Sequence, residues 1–163
     1  ITNAAGALNS SYQVGDLVLI TDHINMTFSN PLIGPNDDTL GPRFPDMSEA
    51  YDKDLINLSL KVAGKEKVKL KKGVYIGVSG PNYETPAELK FLSLIGGDIV
   101  GMSTVHETIV AKHTGFRVLG ISCVTDMALY DKPVSISHKD VLKEASEASP
   151  KLVRLIEGIV RET

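Results

Sequence analysis

The sequence predicts an α/β fold, because short, mostly apolar runs alternate along the chain with segments whose apolar residues recur at helical spacing. Runs such as residues 74–78 and 118–124 are continuous rather than alternating, which is typical of strands covered on both faces. A chain of 163 residues can bury a core of ordinary size. We therefore expect a single domain over residues 1–163, with a sheet flanked by helices.

The first elements are two strands and a long loop. Residues 1–4 are consistent with the end of a strand that turns at Gly6, and residues 16–20 predict a short buried strand. Residues 21–45 are rich in turn signals and predict an irregular segment. The apolar side chains of this segment indicate that it packs against something, such as another subunit.

The next expected element is a helix. Asp46 is a suitable cap, Glu49 follows three residues later, and an apolar stripe continues to Gly64, where the helix should end. Residues 65–72 are rich in lysine. A solvated connection is a better interpretation of them than a phosphate site.

The clearest local pattern follows the strand at 74–78. Residues 79–82 form a turn, and Thr-Pro-Ala-Glu at 85–88 predicts a helix that opens with a capping box and a proline at its first position. Tyr83 and Glu84 therefore lie on the rim of a strand-to-helix turn, where α/β folds bind ligands. An aromatic face beside a carboxylate suits a flat heterocycle with N–H donors. Alternatively, Tyr83 packs locally and Glu84 complements the helix dipole.

The second half of the chain repeats this alternation. Residues 98–101 predict a short strand, and Thr-Val-His-Glu at 104–107 predicts a second capping box and helix. A buried strand is expected over 118–124, and Ser137 opens the last helical region. Pro150 should kink or restart that region.

Two polar residues at strand ends are candidates for chemistry. Ser103 lies between a strand and a capped helix, so its hydroxyl and nearby backbone N–H groups could bind a phosphate, although capping the helix is the commoner role. Asp126 directly follows an apolar run, and the carboxyl end of a buried strand is a favoured ligand position. The alternative for Asp126 is a turn residue that satisfies the local backbone.

Other combinations carry less weight. Asp98, Ser103 and His106 have the residue types of a hydrolase triad but lack a nucleophile elbow. His106 and His113 do not fit the spacing of a zinc protease motif. Cys123 lies within an apolar strand and is expected in the core.

Composition gives no reason to expect several classes of partner. Hydrophobic residues make up 42% of the chain, charged residues 23%, and the formal net charge is −3, so nothing favours nucleic acid or an anionic membrane. No apolar run is long enough to span a bilayer, and no basic and apolar leader opens the chain. With Cys123 as the only cysteine, a reducing compartment is favoured, and we expect a cytoplasmic protein.

Six motifs in series resemble those of the trimeric purine nucleoside phosphorylases, whose relatives include methylthioadenosine phosphorylase. The resemblance implies a mixed sheet with a distorted barrel flanked by helices, and a homotrimer. The motifs are Thr2-Asn3-Ala4-Ala5-Gly6, Asp22-His23-Ile24-Asn25, Asn30-Pro31-Leu32 with Gly34-Pro35-Asn36, Arg43-Phe44-Pro45, Gly80-Pro81-Asn82-Tyr83-Glu84-Thr85 and Val100-Gly101-Met102-Ser103-Thr104-Val105.

The resemblance also implies roles for individual residues. It assigns phosphate to the backbone of Ala4 and the hydroxyl of Ser103, and it makes Glu84 and Asp126 the catalytic candidates. Phe44 would reach the ribose site of a neighbouring subunit. The purine site would comprise Ala5, Tyr83, Glu84, Val100 and Asp126, and the ribose site Met102, His138 and that Phe44.

The implied reaction is phosphorolysis of a purine nucleoside, as in purine salvage. Phosphate attacks the anomeric carbon and releases a free base and a pentose 1-phosphate. Phosphate is therefore a co-substrate, and neither a metal nor an organic cofactor is expected.

Two departures from the family pattern matter. Asp126 stands where the enzymes for 6-oxopurines have Asn, which leads us to expect a preference for 6-aminopurines such as adenosine. The glycine-rich phosphate loop and the upstream Ser, His and Arg of the family pattern are missing. We therefore expect the chain, which begins at Ile1, to be the C-terminal portion of a phosphorylase, incomplete without an N-terminal segment or a companion chain.

Two alternatives stay open at this point. Asp126 also suits a specificity like that of methylthioadenosine phosphorylase, which a small apolar pocket near the 5′ position would favour. His138 favours a free 5′-hydroxyl instead. The other alternative is a truncated, non-catalytic product that keeps the fold and the trimer surface.

Overall fold

In the computed structural model, which describes residues 1–132 and 135–163, five strands close into a mixed barrel and four helices flank it. The predicted α/β class with a distorted barrel is therefore confirmed. The elements in chain order are β1 (Thr2–Ala7), β2 (Leu17–Met26), α1 (Lys53–Glu66), β3 (Leu70–Val78), α2 (Pro86–Leu94), β4 (Ile99–Gly101), α3 (Val105–His113), β5 (Gly120–Met127) and α4 (His138–Glu162).

The order of strands around the barrel is β1-β4-β3-β2-β5. β2 and β4 both pair in parallel with β3, β1 pairs in parallel with β5, and the β1–β4 and β2–β5 pairs are antiparallel. Two register shifts interrupt the ladders, one between Ala5 and Gly6 and one between Ile20 and Asp22. Such bulges bend a strand and redirect its side chains, which becomes important at β1 and β5.

The core lies within the barrel and between the barrel and its helices. Leu17, Leu19 and Ile20 of β2 are fully buried, as the continuous apolar run predicts. α4 opens with a capping box formed by Ser137 and Asp140, and its apolar face packs against α1 and β5. Burial of these apolar groups is the main source of stability.

The strands are longer than their apolar runs indicate. β1 passes straight through Gly6, so the turn expected there is wrong. β2 continues to Met26, into the segment expected to be irregular, because its polar second half still pairs with β3. The expected connection over 65–72 is also wrong, since it contains the end of α1 and the start of β3.

The boundaries of α1 also differ from the prediction. Its N-cap is Asp52, which accepts a hydrogen bond from the backbone N–H of Leu55, and not Asp46. Asp46 instead accepts from the backbone N–H of Ser48 in a turn. The helix runs through Gly64 and ends at Lys67 in a left-handed conformation.

The two later helix predictions have mixed outcomes. α3 begins where the sequence indicates, but its capping box does not form. α4 runs without interruption through Pro150, so no restart occurs there. Within residues 1–132 and 135–163, none of the helices combines the length and the apolar character that crossing a membrane requires.

Candidate active site

One cleft of about 380 Å³ collects residues from five separate parts of the chain. β1, the turn before α2, the end of β4, the end of β5 and helix α4 all contribute to its wall. Its lining contains Thr2, Asn3, Ala4, Ala5, Gly6, Tyr83, Glu84, Val100, Gly101, Met102, Ser103, Thr125, Asp126 and Val141.

The bulge between β1 and β5 brings Asp126 to the cleft. Ala5 pairs with Val124 and Gly6 pairs with Asp126, so Thr125 is the extra residue. In a regular strand Val124 and Asp126 would share a face. The bulge breaks that alternation, and Val124 is fully buried while Asp126 lines the cleft.

The Asp126 carboxylate is held in place by its neighbours. The Thr125 hydroxyl donates to Asp126 Oδ1 at 3.0 Å. A methyl group on Gly6 would lie 2.7 Å from Asp126 Oδ2, so only glycine permits this approach of the carboxylate to β1. The position of the side chain is therefore set by packing as well as by hydrogen bonding.

Both carboxyl groups of the cleft favour the protonated form more than an exposed carboxyl would. Burial raises the pKa of Asp126, and the hydrogen bond from Thr125 opposes that rise. Burial also raises the pKa of Glu84, and the negative charges of Asp126 and Glu88 add to the effect. Perturbed carboxyl groups that share a cleft are typical of functional sites.

Part of the cleft wall is apolar and accessible to solvent. Tyr83 is 45% exposed and Met102 41%, so both present apolar surface to the cleft. Gly80 has a positive φ of 62°, and a methyl group there would lie 2.4 Å from Met102 Sδ. The turn after β3 therefore packs directly on the turn after β4.

Ser103 sits on a strained turn at the start of α3. Thr104 has φ 75° and ψ −46°, and the backbone N–H of Val105 donates to the carbonyl of Ser103 at 2.8 Å. This is a γ-turn of the positive-φ type, which is rare and strained, and a β-branched residue at positive φ is an outlier. Strain of this kind concentrates at functional sites.

Two residues that the sequence did not single out support this turn. The Asn3 amide nitrogen donates to Thr104 Oγ1 at 2.7 Å, and the buried Tyr75 hydroxyl accepts from the backbone N–H of Ser103 at 3.3 Å. A methyl group on Gly101 would lie 2.4 Å from the Tyr75 hydroxyl. Asn3 could have been noticed, because it is the one amide in a strand of small residues, whereas nothing local distinguishes Tyr75.

Phe44 and His138 lie away from this cleft. Phe44 is 88% exposed and lines a separate depression with residues of the long loop, including Leu32 and Arg43. His138 is an exposed residue at the first position of α4, and it is Val141 of that helix that lines the cleft.

The residues considered for a hydrolase triad make hydrogen bonds elsewhere in the fold. Asp98 accepts hydrogen bonds from Asn9 and from the backbone of Val74, and His106 contacts Thr27, so these residues form no triad with Ser103. Within 1–132 and 135–163, no three His, Cys, Asp or Glu side chains cluster in a way that could hold a metal ion. Cys123 is buried in the core as predicted.

The sequence of this chain has known relatives. It matches the profile of the phosphorylase superfamily over residues 1–161. The chain belongs to this superfamily. The family resemblance read from the six motifs is therefore confirmed.

Named relatives of this phosphorylase-superfamily chain are purine nucleoside phosphorylases. Purine nucleoside phosphorylase 1 of Bacillus subtilis (strain 168) is 51% identical over 164 residues, which cover 99% of this chain and 60% of that protein. The enzyme of Mus musculus is 44% identical over 164 residues, which cover 96% of this chain and 56% of that protein. The chain thus spans about 60% of the length of the curated relatives it matches.

A solved structure gives the same result. The purine nucleoside phosphorylase of Schistosoma mansoni in complex with inosine superposes with a TM-score of 0.96 at 37% identity. The superposition covers 99% of this chain and 60% of that one. The barrel and its helices are therefore those of the phosphorylase fold.

Proposed function

We propose that this chain carries the nucleoside-binding face of a purine nucleoside phosphorylase, a pentosyltransferase that converts a purine nucleoside and phosphate into a free base and a pentose 1-phosphate. The observation that carries the proposal is the single cleft. Every residue that the family resemblance assigns to phosphate or purine lines it, although these residues come from four separate segments. The relatives' names support the same reaction.

In the proposed complex the purine lies between Tyr83 and Val100, with Ala5 behind it. The Glu84 carboxyl group contacts the N–H edge of the six-membered ring, and Met102 lies under the ribose. An apolar wall with a few placed polar groups is the usual form of a small-molecule site.

Asp126 has the properties of a general acid for the departing base. It lines the cleft, and burial raises its pKa, so the carboxyl group keeps its proton to a higher pH than an exposed aspartate does. In its protonated form it can donate to N7 as charge builds on the purine. The second oxygen of the carboxyl group can accept from a 6-amino group. Against a 6-oxo group the same oxygen would oppose lone pairs with lone pairs, so we propose a preference for 6-aminopurine nucleosides.

Phosphate would bind near the backbone of Ala4 and the hydroxyl of Ser103. Among the described residues that line the cleft there is no lysine, arginine or histidine, while Glu84 and Asp126 are both present. A phosphate dianion needs opposing charge in such a site. We therefore propose that groups outside these 163 residues complete the phosphate end. The reaction then needs no metal or organic cofactor, and we place it in the cytoplasm.

The decisive experiment follows base release from adenosine and from inosine in the presence of phosphate. We expect kcat/KM to favour adenosine, and Asp126→Asn to move the preference toward inosine by about tenfold or more, since a mismatched buried polar contact costs about 1–3 kcal/mol. Asp54→Asn is the matched control, because Asp54 is 90% exposed and lies outside the cleft.

Base binding provides a second readout that does not depend on turnover. Adenine should bind more tightly than hypoxanthine, and Asp126→Asn should narrow the difference. A clear preference of the unchanged protein for inosine and hypoxanthine would overturn the assignment of Asp126. Binding of bases without any phosphorolysis would favour the non-catalytic alternative for this chain.

A second candidate is a specificity like that of methylthioadenosine phosphorylase. The observation that favours it is Val141, an apolar residue of α4 that lines the cleft where His138 does not. A methylthio group could pack against Val141, whereas a free 5′-hydroxyl would need a polar partner such as His138. Comparing kcat/KM for methylthioadenosine and adenosine distinguishes the two.

We also propose a homotrimer in which the loop carrying Phe44 reaches a neighbouring subunit. Phe28, Ile33 and Phe44 are 89%, 78% and 88% exposed, which is unusual for large apolar side chains on one loop. Sedimentation equilibrium should give the mass of three chains. Phe44→Ala should raise the KM for the nucleoside while leaving the binding of free base unchanged.

A further inference from the structure

We propose that Asn3 and Thr104 are positioning residues that orient the Ser103 hydroxyl as a hydrogen-bond donor toward an anion in the cleft. The inference rests on the proposed phosphate end of the site. It assigns roles to two side chains that the reaction as described above does not use. Two observations support it. The Asn3 amide and the hydroxyls of Thr104 and Ser103 form a chain of hydrogen-bonding groups, and the strained turn at Thr104 holds them together.

The polar groups form a continuous chain from β1 to the cleft. The Asn3 amide nitrogen lies 2.7 Å from Thr104 Oγ1, and Thr104 Oγ1 lies 3.1 Å from Ser103 Oγ. Thr104 is only 1% exposed, whereas Ser103 is exposed in the lining of the cleft. Asn3 is half-buried and also lines the cleft, so the buried Thr104 hydroxyl links two side chains of the cleft wall.

The first member of this chain favours one direction of donation, because the Thr104 lone pair that accepts from Asn3 is no longer open to the Ser103 proton. An amide nitrogen donates and does not accept, so Thr104 Oγ1 must accept from Asn3. The Thr104 proton is then available for Ser103 Oγ, which lies within hydrogen-bond distance. If Ser103 Oγ accepts from Thr104, its own proton can point into the cleft. A hydroxyl fixed in this way favours an anion over a cation.

The backbone conformation of Thr104 keeps the three polar groups in contact, although it is strained and gives up a helix cap. A threonine that opens a helix normally accepts from the backbone three residues on, but the side chain of Thr104 makes no such bond. Instead its positive φ aims the hydroxyl at Asn3 and Ser103. The Tyr75 hydroxyl accepts from the backbone N–H of Ser103 and also lies beside the hydroxyls of Ser103 and Thr104.

Packing alone does not explain why an asparagine occupies position 3 of β1. Asn3 Oδ1 and Ser122 Oγ are buried, and neither has a hydrogen-bond partner among the described residues. Asn3 and Ser122 are directly paired in the β1–β5 ladder. A buried polar atom without a partner is unfavourable, so an apolar residue at position 3 would serve the core better than asparagine. The contact with Thr104 is the feature that only an amide provides here.

The test is a titration with inorganic phosphate, followed at the backbone amides of Ser103 and Val105 by NMR. Thr104→Val removes the hydroxyl and keeps the shape, and Thr104→Ser keeps the hydroxyl. We expect weak, saturable binding to the unchanged protein and to Thr104→Ser. For Thr104→Val we expect an affinity about fivefold lower, the equivalent of one neutral hydrogen bond. Adenine affinity should be the same in all three.

The outcomes separate this inference from the proposed function. Equal phosphate affinity of Thr104→Val and the unchanged protein would overturn the positioning role and leave the function intact. A parallel loss of adenine affinity would also overturn it, since that result indicates a general structural effect. If the unchanged protein binds adenine but phosphate moves neither amide, the phosphate end itself is wrong, and this inference fails with it.

A second variant decides the matter if Thr104→Val does not fold. Asn3→Leu keeps the approximate size of the side chain, adds no charge to the cleft and removes the donor, so the direction of the hydroxyl chain is no longer fixed. A fall in phosphate affinity of about fivefold in a folded Asn3→Leu protein, with adenine affinity unchanged, supports the inference. An unchanged response contradicts it.

Discussion

Helices α2 and α3 are each nine residues long, and both start with the pattern Thr-x-x-Glu. In α2, Thr85 accepts from the backbone N–H of Glu88, and the Glu88 carboxylate accepts from the backbone N–H of Thr85 at 2.7 Å. In α3 the same residue types make neither bond, and Thr104 adopts a positive φ. One local sequence thus has two structures. Thr85 bonds within its own helix turn, whereas Thr104 contacts Asn3 and Ser103, which both line the cleft.

The same contrast extends to the acidic residues. Asp52 caps α1 and pairs with Arg117, whose hydrogen bond lowers the pKa of Asp52 to about 2. Among residues 1–132 and 135–163 no cation pairs with Asp126 at the cleft, and burial raises the pKa of Asp126. At the start of α1, polar groups are paired with partners that stabilise them. In the cleft they are held in less favourable states, which is what binding and catalysis require.

The largest expected effect compares two glycines. A methyl group on Gly101 would lie 2.4 Å from the buried Tyr75 hydroxyl, whereas one on Gly64 of α1 would have no atom within 4 Å. Gly101→Ala should lower the free energy of unfolding by about 1–3 kcal/mol through overpacking. Gly64→Ala should raise it by about 0.5–1 kcal/mol, because alanine favours the helix. Urea unfolding measures both.

These two variants also bear on the cleft. Displacing Tyr75 should disturb the Ser103 turn, so Gly101→Ala should weaken phosphate binding as well as stability. Gly64→Ala should leave phosphate binding unchanged. Equal stability changes at the two positions would contradict the close packing of Gly101 on Tyr75.

The next effect isolates the capping box. Glu88→Ala should lower the free energy of unfolding by about 1 kcal/mol, because the backbone N–H of Thr85 loses its acceptor. Glu107→Ala should change it by at most about 0.5 kcal/mol, since only its interaction with the helix dipole is lost. Both residues occupy the same position in their helices, so the difference between the two variants reports the box alone. Similar losses would indicate that α3 forms its box in solution.

Sequence reasoning predicted much of this arrangement because the relevant signals are local. The apolar runs of β3 and β5 and the capping box of α2 depend on neighbours within a few residues. The capping box was found where expected, and the two strands were found with different ends. The same local logic failed at Thr104, whose hydroxyl is bound by Asn3, a residue 101 positions away. A contact of that separation competes with the cap and leaves no trace in the four-residue pattern.

The sequence predicted only in part which residues meet in the candidate site, because one of them is placed by a strand bulge that has no local signal. Tyr83, Ser103 and Asp126 could be placed at strand ends, and strand ends of a closed barrel meet. That Asp126 faces the cleft depends on the bulge at Thr125, which the sequence did not indicate. The role of Gly6 depends on the same bulge, because it lies against the Asp126 carboxylate only when the register shifts there.

The smallest expected effect is a difference in pH dependence between the two aspartates. Asp52 has a lowered pKa, so its contribution to stability is present above the ordinary aspartate pKa of about 3.9 and is lost as the pH falls through about 2. Asp52→Asn should therefore destabilise the protein at neutral pH by at most about 1 kcal/mol, since Arg117 is half exposed. The loss should disappear in acid.

Asp126 should behave in the opposite way. Its pKa is raised, so the folded protein holds the proton more tightly than the unfolded chain, and stability falls as the pH rises through the raised pKa. Asp126→Asn should stabilise the protein at neutral pH and make no difference below the ordinary aspartate pKa. Urea unfolding of both variants across this pH range provides the measurement. A shift of the same sign for Asp52→Asn and Asp126→Asn would show that the cleft holds its carboxylate no differently from the start of α1.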